Sequence, residues 1–189
     1  TSADALARPG SSFVDVPFPG TQGLRLHVTD RAFSAGATDG SPSEPPTFVL
    51  LHGFTFNLYT WGRLAEPLAA RGRVIAYDQI PYGLSAKPLP GTWTGENPYS
   101  KAAALAQLMA LLDVLGVERA YLVGNSSGGT LALEAARAFP GRVQGLILLA
   151  PWVNSKRPIL PDWLVDLPQT QRMTLFLGRM LGRDAPLLD

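Results

Sequence analysis

The sequence predicts an α/β fold, a mostly parallel central sheet with helices on both faces. Four short apolar runs of strand length, helix-period stripes between them and an excess of turn residues (19 Gly and 17 Pro in 189 residues) predict it. The opening stretch, Thr1 to Ser12, is small and polar and reads as loosely ordered. Ser12–Val16 and Leu24–Val28 then alternate apolar and polar, and Pro17–Gly23 between them makes a hairpin. Ala32 to Pro46, mostly Ala, Gly, Ser and Pro, reads as a surface loop. Thr47–Leu51, Arg73–Tyr77, Ala120–Val123 and Leu146–Leu149 are the apolar runs, the mark of strands buried on both faces. Trp61, Leu64, Ala65 and Leu68 give one helical face. Leu105, Leu108, Leu111, Leu112 and Leu115 give a second, stopped by Gly116; Leu131, Ala135 and Phe139 give a third, ended by Pro140-Gly141. Beyond Asn154, prolines at 158, 161 and 168 divide apolar faces carrying Trp163, Leu164, Met173, Phe176, Leu177, Met180 and Leu181. These read as short helices lying over something, or equally as ordinary core helices.

Composition removes several function classes. Lys plus Arg total 16 against 15 Asp plus Glu, so neither a strongly basic nucleic-acid surface nor an acidic tail is present. No run reaches the ~18 unbroken apolar residues of a membrane span. The chain has no cysteine, which excludes disulfides, thiolate catalysis and Cys-ligated metal, and it has only two histidines, His27 and His52.

Open α/β sheets bind ligands at the carboxyl ends of their strands. Gly124-Asn125-Ser126-Ser127-Gly128-Gly129 follows one apolar run and precedes a helical stripe. A serine on a tight strand-to-helix turn has very close neighbours, and glycine two residues before and after removes the side chains that would clash. Ser126, not Ser127, has that spacing and is the candidate nucleophile. A plain Gly/Ser turn is the alternative; a phosphate loop is disfavoured because no Lys follows the glycines. Leu51-His52-Gly53-Phe54 lies at the end of the preceding apolar run. A Gly turn beside such an elbow can aim the Phe54 N–H at an oxyanion, with Ser127 supplying the second donor. Loss of one such donor typically costs ~3 kcal/mol of barrier. His52 is favoured as a buried imidazole shaping the turn, and His27, in an edge hairpin, as a surface or packing residue. Asp78, opening Asp78-Gln79-Ile80-Pro81-Tyr82-Gly83-Leu84-Ser85, is either a catalytic carboxylate or, as favoured, a brace bonded to backbone N–H groups.

In their order these three motifs, the His-Gly-Phe turn, the D-x-x-x-x-G-x-S loop and the G-N-S-S-G-G elbow, resemble the α/β-hydrolase family over about residues 12 to 153. The resemblance implies Ser126 as nucleophile, an oxyanion hole from the Phe54 and Ser127 backbone, and a helical lid after the strand ending near Ala150. It divides the chain into the N-terminal part of the hydrolase core, 1–153, and the beginning of a lid, 154–189. Members often carry Arg-Gly within the stretch Gln79-Ile80-Pro81. Asn125 is similar to the residue before the serine in hydrolases that cleave carbon–carbon bonds of aromatic ring-cleavage products.

The family order Ser, acid, His implies a histidine after Ser126, and none follows. The expectation is therefore a C-terminally incomplete hydrolase core whose acid and base lie beyond Asp189 or on a second chain. The strand near Leu146 then becomes an unpaired apolar edge. One expectation for function is a serine hydrolase of small apolar ester-like, or C–C bonded, molecules. The alternative is a non-catalytic binding protein or receptor on the same scaffold. Serine acyl transfer needs no cofactor or metal, and none is implied. The expected partner is a small-molecule substrate, with no nucleic acid and no membrane span, and the cytoplasm is the default compartment for a chain without a visible leader.

Overall fold

In the central strands alternate side chains must find apolar cover on opposite faces, and two separate cores supply it. The computed structural model describes residues 2–34 and 45–153. The chain divides into two units, Thr1–Val153 and Asn154–Asp189. The second, with the expected lid, lies outside the described residues, as does most of the expected 32–46 loop. The strands are β1 (Ser12–Val16), β2 (Leu24–Arg31), β3 (Thr47–Leu51), β4 (Arg73–Tyr77), β5 (Ala120–Asn125) and β6 (Val143–Leu149), in the sheet order β1-β2-β4-β3-β5-β6. β4, β3, β5 and β6 run parallel, while β1 and β2 form an antiparallel hairpin joined antiparallel to β4.

The helices are α1 (Ala3–Leu6), α2 (Gly62–Ala69), α3 (Lys101–Val114) and α4 (Ser127–Ala138). Val49, Leu51, Ile75, Tyr77 and Leu122 pack with Leu108, Leu111 and Leu112 of α3 and Leu131, Ala132 and Ala135 of α4. Their strand neighbours Leu50, Val74, Ala76 and Val123 pack on the other face with Leu58, Trp61, Ala65 and Ala69. The period-2 alternation of a pleated strand thus reads out as two cores. Each fully buried aliphatic side chain contributes ~1.5–3 kcal/mol.

Local chemistry sets the ends of the helices. The Ser100 hydroxyl accepts the Ala103 N–H at 2.9 Å and caps α3. At the other end Gly116 takes φ +64° and the Val117 N–H reaches back to the Leu112 carbonyl at 2.8 Å. Gln107, the polar residue inside the apolar α3 stretch, is buried and donates its amide to the Pro98 carbonyl at 2.8 Å.

Two expectations need correction. The N-terminal segment is ordered where it meets the hairpin: Ser2 caps α1, and Asp4 pairs with Arg25 at 2.7 Å. β6 is not buried on both faces. Leu146 and Leu148 pack on the α3/α4 core, but Ile147 and Leu149 each stay 42% exposed, because no described element covers that face.

Candidate active site

β3 and β5 are adjacent strands at the point where the order of the sheet reverses, with β4 on one side and β6 on the other. That arrangement opens a crevice at their carboxyl ends. The register pairs Leu51 with Gly124, so two residues further on the chains reach Gly53 and Ser126 together. A Cβ on Gly53 would lie 3.3 Å from the Ser126 Cβ and 2.9 Å from Asn125 Oδ1.

Ser126 stands between the last residue of β5 and the first of α4 with φ +50° and ψ −116°. A positive φ costs a residue other than glycine ~1–3 kcal/mol and persists only where its surroundings over-determine it. Here they do. The Ser126 N–H donates to the Leu149 carbonyl at 3.0 Å, and its own carbonyl accepts from Gly129 at 3.0 Å and Trp152 at 3.1 Å. The elbow glycines are required by contact: a Cβ on Gly124 would sit 2.6 Å from the Gly129 Cα, and one on Gly128 would strike the Leu51 carbonyl. The Ser126 hydroxyl makes no capping bond to α4. Among the described residues the N–H groups of Phe54 and Ser127 also make no hydrogen bond.

His52 is buried and stays in the turn, as read from sequence. Its Nε2 accepts the Gln79 N–H at 2.9 Å, which puts the ring proton on Nδ1, and Nδ1 donates to the Gly53 carbonyl at 2.8 Å. Burial pushes its pKa below the ordinary 6.5, outweighing the Gly53 carbonyl and the Asp78 charge, which act the other way. Asp78 is likewise a brace: Oδ1 accepts the Leu58 N–H at 2.7 Å and Oδ2 accepts the Leu84 N–H at 2.8 Å.

His27 is not a surface residue. It is fully buried, and its Nδ1 lies 2.8 Å from Asp78 Oδ2 and its Nε2 2.9 Å from Ser11 Oγ. This Ser11–His27–Asp78 chain has the spacing of a catalytic relay. However, both Asp78 oxygens already hold backbone amides, and Ser11 Oγ bonds the Arg8 carbonyl at 2.8 Å. It ties the N-terminal segment and β2 to the exit of β4.

Sequence reasoning missed three parts of the site. Gln79 donates its side-chain amide to the His52 carbonyl at 2.7 Å. Asn125 donates to the Leu149 carbonyl at 3.2 Å, and Thr130 Oγ1 donates to the Trp152 carbonyl at 2.7 Å. The turn after β6 thereby clamps the elbow. Pro151 Cβ lies 2.7 Å from where a Cβ of Gly129 would be, so the second glycine of the Gly-Gly pair makes room for it. Around the crevice Phe54 and Phe56 are more than half exposed, and the Tyr82 ring stands edge-on to His52 and Phe54 at 5.6 and 5.7 Å. A surface depression of about 750 Å³ lies instead on the hairpin turn between Asp15 and Gly23 and includes none of these residues.

Known proteins resemble this chain. Residues 46–178 match the family described as alpha/beta hydrolase fold. An uncharacterized protein of Mycobacterium tuberculosis is 36% identical over 154 residues, 82% of this chain and 41% of its own length. An epoxide hydrolase of Caballeronia sordidicola is 34% identical over 136 residues, 71% of this chain and 36% of its own. A solved N-acyl homoserine lactone degrading enzyme superposes with a TM-score of 0.58 at 30% identity, over 73% of this chain and 45% of that one. The chain belongs to the α/β-hydrolase family. It spans about 41% of the length of the mycobacterial relative. Among the described residues, no helix is long and apolar enough to cross a membrane.

Proposed function

We propose that the protein is a serine hydrolase of small, fairly apolar ester-like molecules, with Ser126 as nucleophile and the Phe54 and Ser127 amides as oxyanion donors. The observation that carries this reading is the braced positive-φ backbone of Ser126, beside a glycine turn and two N–H groups that make no hydrogen bond among the described residues. Backbone strain of this kind clusters at active sites. In the reaction, Ser126 Oγ attacks the carbonyl carbon and gives its proton to a base, and the carbonyl oxygen becomes the oxyanion between the two amides. Collapse expels the alcohol, which takes up that proton, and water then releases the acid from the acyl-serine.

The base is not one of this chain's histidines, because His52 and His27 are both committed elsewhere. We place the acid and the imidazole in protein beyond these 189 residues, in keeping with the share of its relatives that the chain spans. An ester is favoured over an epoxide, despite the epoxide hydrolase relative, because epoxide chemistry usually uses Asp where this elbow has Ser126. Similarity to a lactone-degrading enzyme supports the same choice. Residues 154–189 would be the beginning of the lid.

A second reading, a non-catalytic binding protein, is favoured by the same commitment of both histidines. A serine-directed fluorophosphonate applied to the full-length gene product separates the two. Covalent labelling that disappears in Ser126→Ala is the expected result; no labelling selects the binder, and labelling that survives the substitution overturns Ser126 as the nucleophile.

A further inference from the structure

We propose that Gln79 is a positioning residue that aims the Phe54 N–H, a role that rests on the serine-hydrolase reading above. The register brings it there: β3 and β4 pair Leu50 with Ala76, so the chain beyond carries Gln79 alongside the turn at Gly53. Gln79 acts on that turn twice. Its backbone N–H occupies His52 Nε2 at 2.9 Å, which forces the ring proton onto Nδ1, and Nδ1–H then holds the Gly53 carbonyl at 2.8 Å. The Phe56 N–H holds the same carbonyl at 3.2 Å. In a trans peptide the C=O and the following N–H point in opposite directions. Fixing the Gly53 oxygen therefore fixes the direction of the Phe54 N–H. The Gln79 side chain secures the peptide before it, donating to the His52 carbonyl at 2.7 Å. The two carbonyls flanking the Gly53 Cα are thus both held, and glycine is the residue whose dihedrals would otherwise be freest. Ser126 and Asn125 close the opposite side of Gly53.

The test uses the full-length protein and the inactivation of Ser126 by a fluorophosphonate, whose phosphoryl oxygen needs the same amides. Gln79→Met keeps the length of the side chain and removes the donor. The maximal inactivation rate should fall about 10-fold, less than the 10²–10³ for loss of a whole oxyanion donor. The half-saturating probe concentration should stay within about twofold, because initial binding of the probe does not use the aimed N–H. Gln79→Arg, which returns an N–H donor, should recover part of the rate. A general loss of fold would not be mended by that change. If Gln79→Met does not fold, Gln79→Glu, which sets an acceptor against the His52 carbonyl, is read in the same way.

A rate in Gln79→Met within about twofold of wild type, with Ser126→Ala unlabelled, overturns the role of Gln79 and leaves the nucleophile reading standing. A shift in half-saturation alone overturns it too, since that would make Gln79 a ligand contact. Absence of labelling in the wild type overturns the nucleophile reading and this inference with it.

Discussion

Ser126 and His52 are held by neighbours of different kinds. Around Ser126 the crowding is local: Gly124 and Gly128 lie two residues away on either side, and that spacing alone singles out the serine. Of the bonds that hold its backbone, those with Leu149 and Trp152 come from more than twenty residues on, and no local spacing announces them. His52 shows the same division. Its neighbour Gly53 was visible in the sequence, whereas Gln79, which fixes its tautomer, is 27 residues away. Of the two readings of His27, surface or packing, the structure selects packing, which could not be read locally because its partner Asp78 is 51 residues distant. A pH dependence follows at this scale. With the folded pKa of His52 depressed below 6.5, the unfolded chain binds a proton that the folded chain refuses once the pH drops below 6.5. The stabilisation is therefore complete above 6.5 and is lost as the pH falls toward the folded pKa. Urea titrations at pH 7.5 and 5 should show the wild type losing more stability on acidification than His52→Gln. Equal losses would mean that His52 titrates alike in both states.

At the level of elements, the strands and helices were legible because each carries its own period. β1, β3 and β4 have the bounds read from the apolar pattern, and α3 ends at the glycine cap. β2, β5 and β6 run longer than their apolar segments, since ladder pairing continues through polar residues such as Thr29, Asp30 and Asn125. The energetics of α3 separate cap from core. Ser100→Ala removes one capping bond and should cost about 1 kcal/mol. Leu112→Ala opens a cavity against the sheet, where the side chain is wholly buried, and should cost about 3 kcal/mol. Chemical denaturation of the two variants checks the ratio, and equal losses would place the weight of α3 in its capping.

For the whole described unit, the two cores lock the hairpin, the four parallel strands and the helices together, but β6 remains an edge among the described residues. Its outer apolar positions, Ile147 and Leu149, are 42% exposed, and such an edge is a template for pairing with another strand. The 189-residue chain on its own should therefore associate with rising concentration, and Ile147→Lys should suppress this. Light scattering across a dilution series measures both. A wild-type chain that stays monomeric over that series would show the edge already covered.

The sequence by itself determined the fold class, the bounds of several elements and the candidacy of Ser126, because periodicity, capping and glycine spacing act between residues close along the chain. Only the tertiary structure decided which partners His27, Asp78 and Gln79 take, and that the exit of β6 clamps the elbow. The physical reason is one of distance along the chain. A hydrogen bond between residues 20 to 51 positions apart leaves no periodic trace in either segment, and exists only once the register of the sheet has brought the strand ends together.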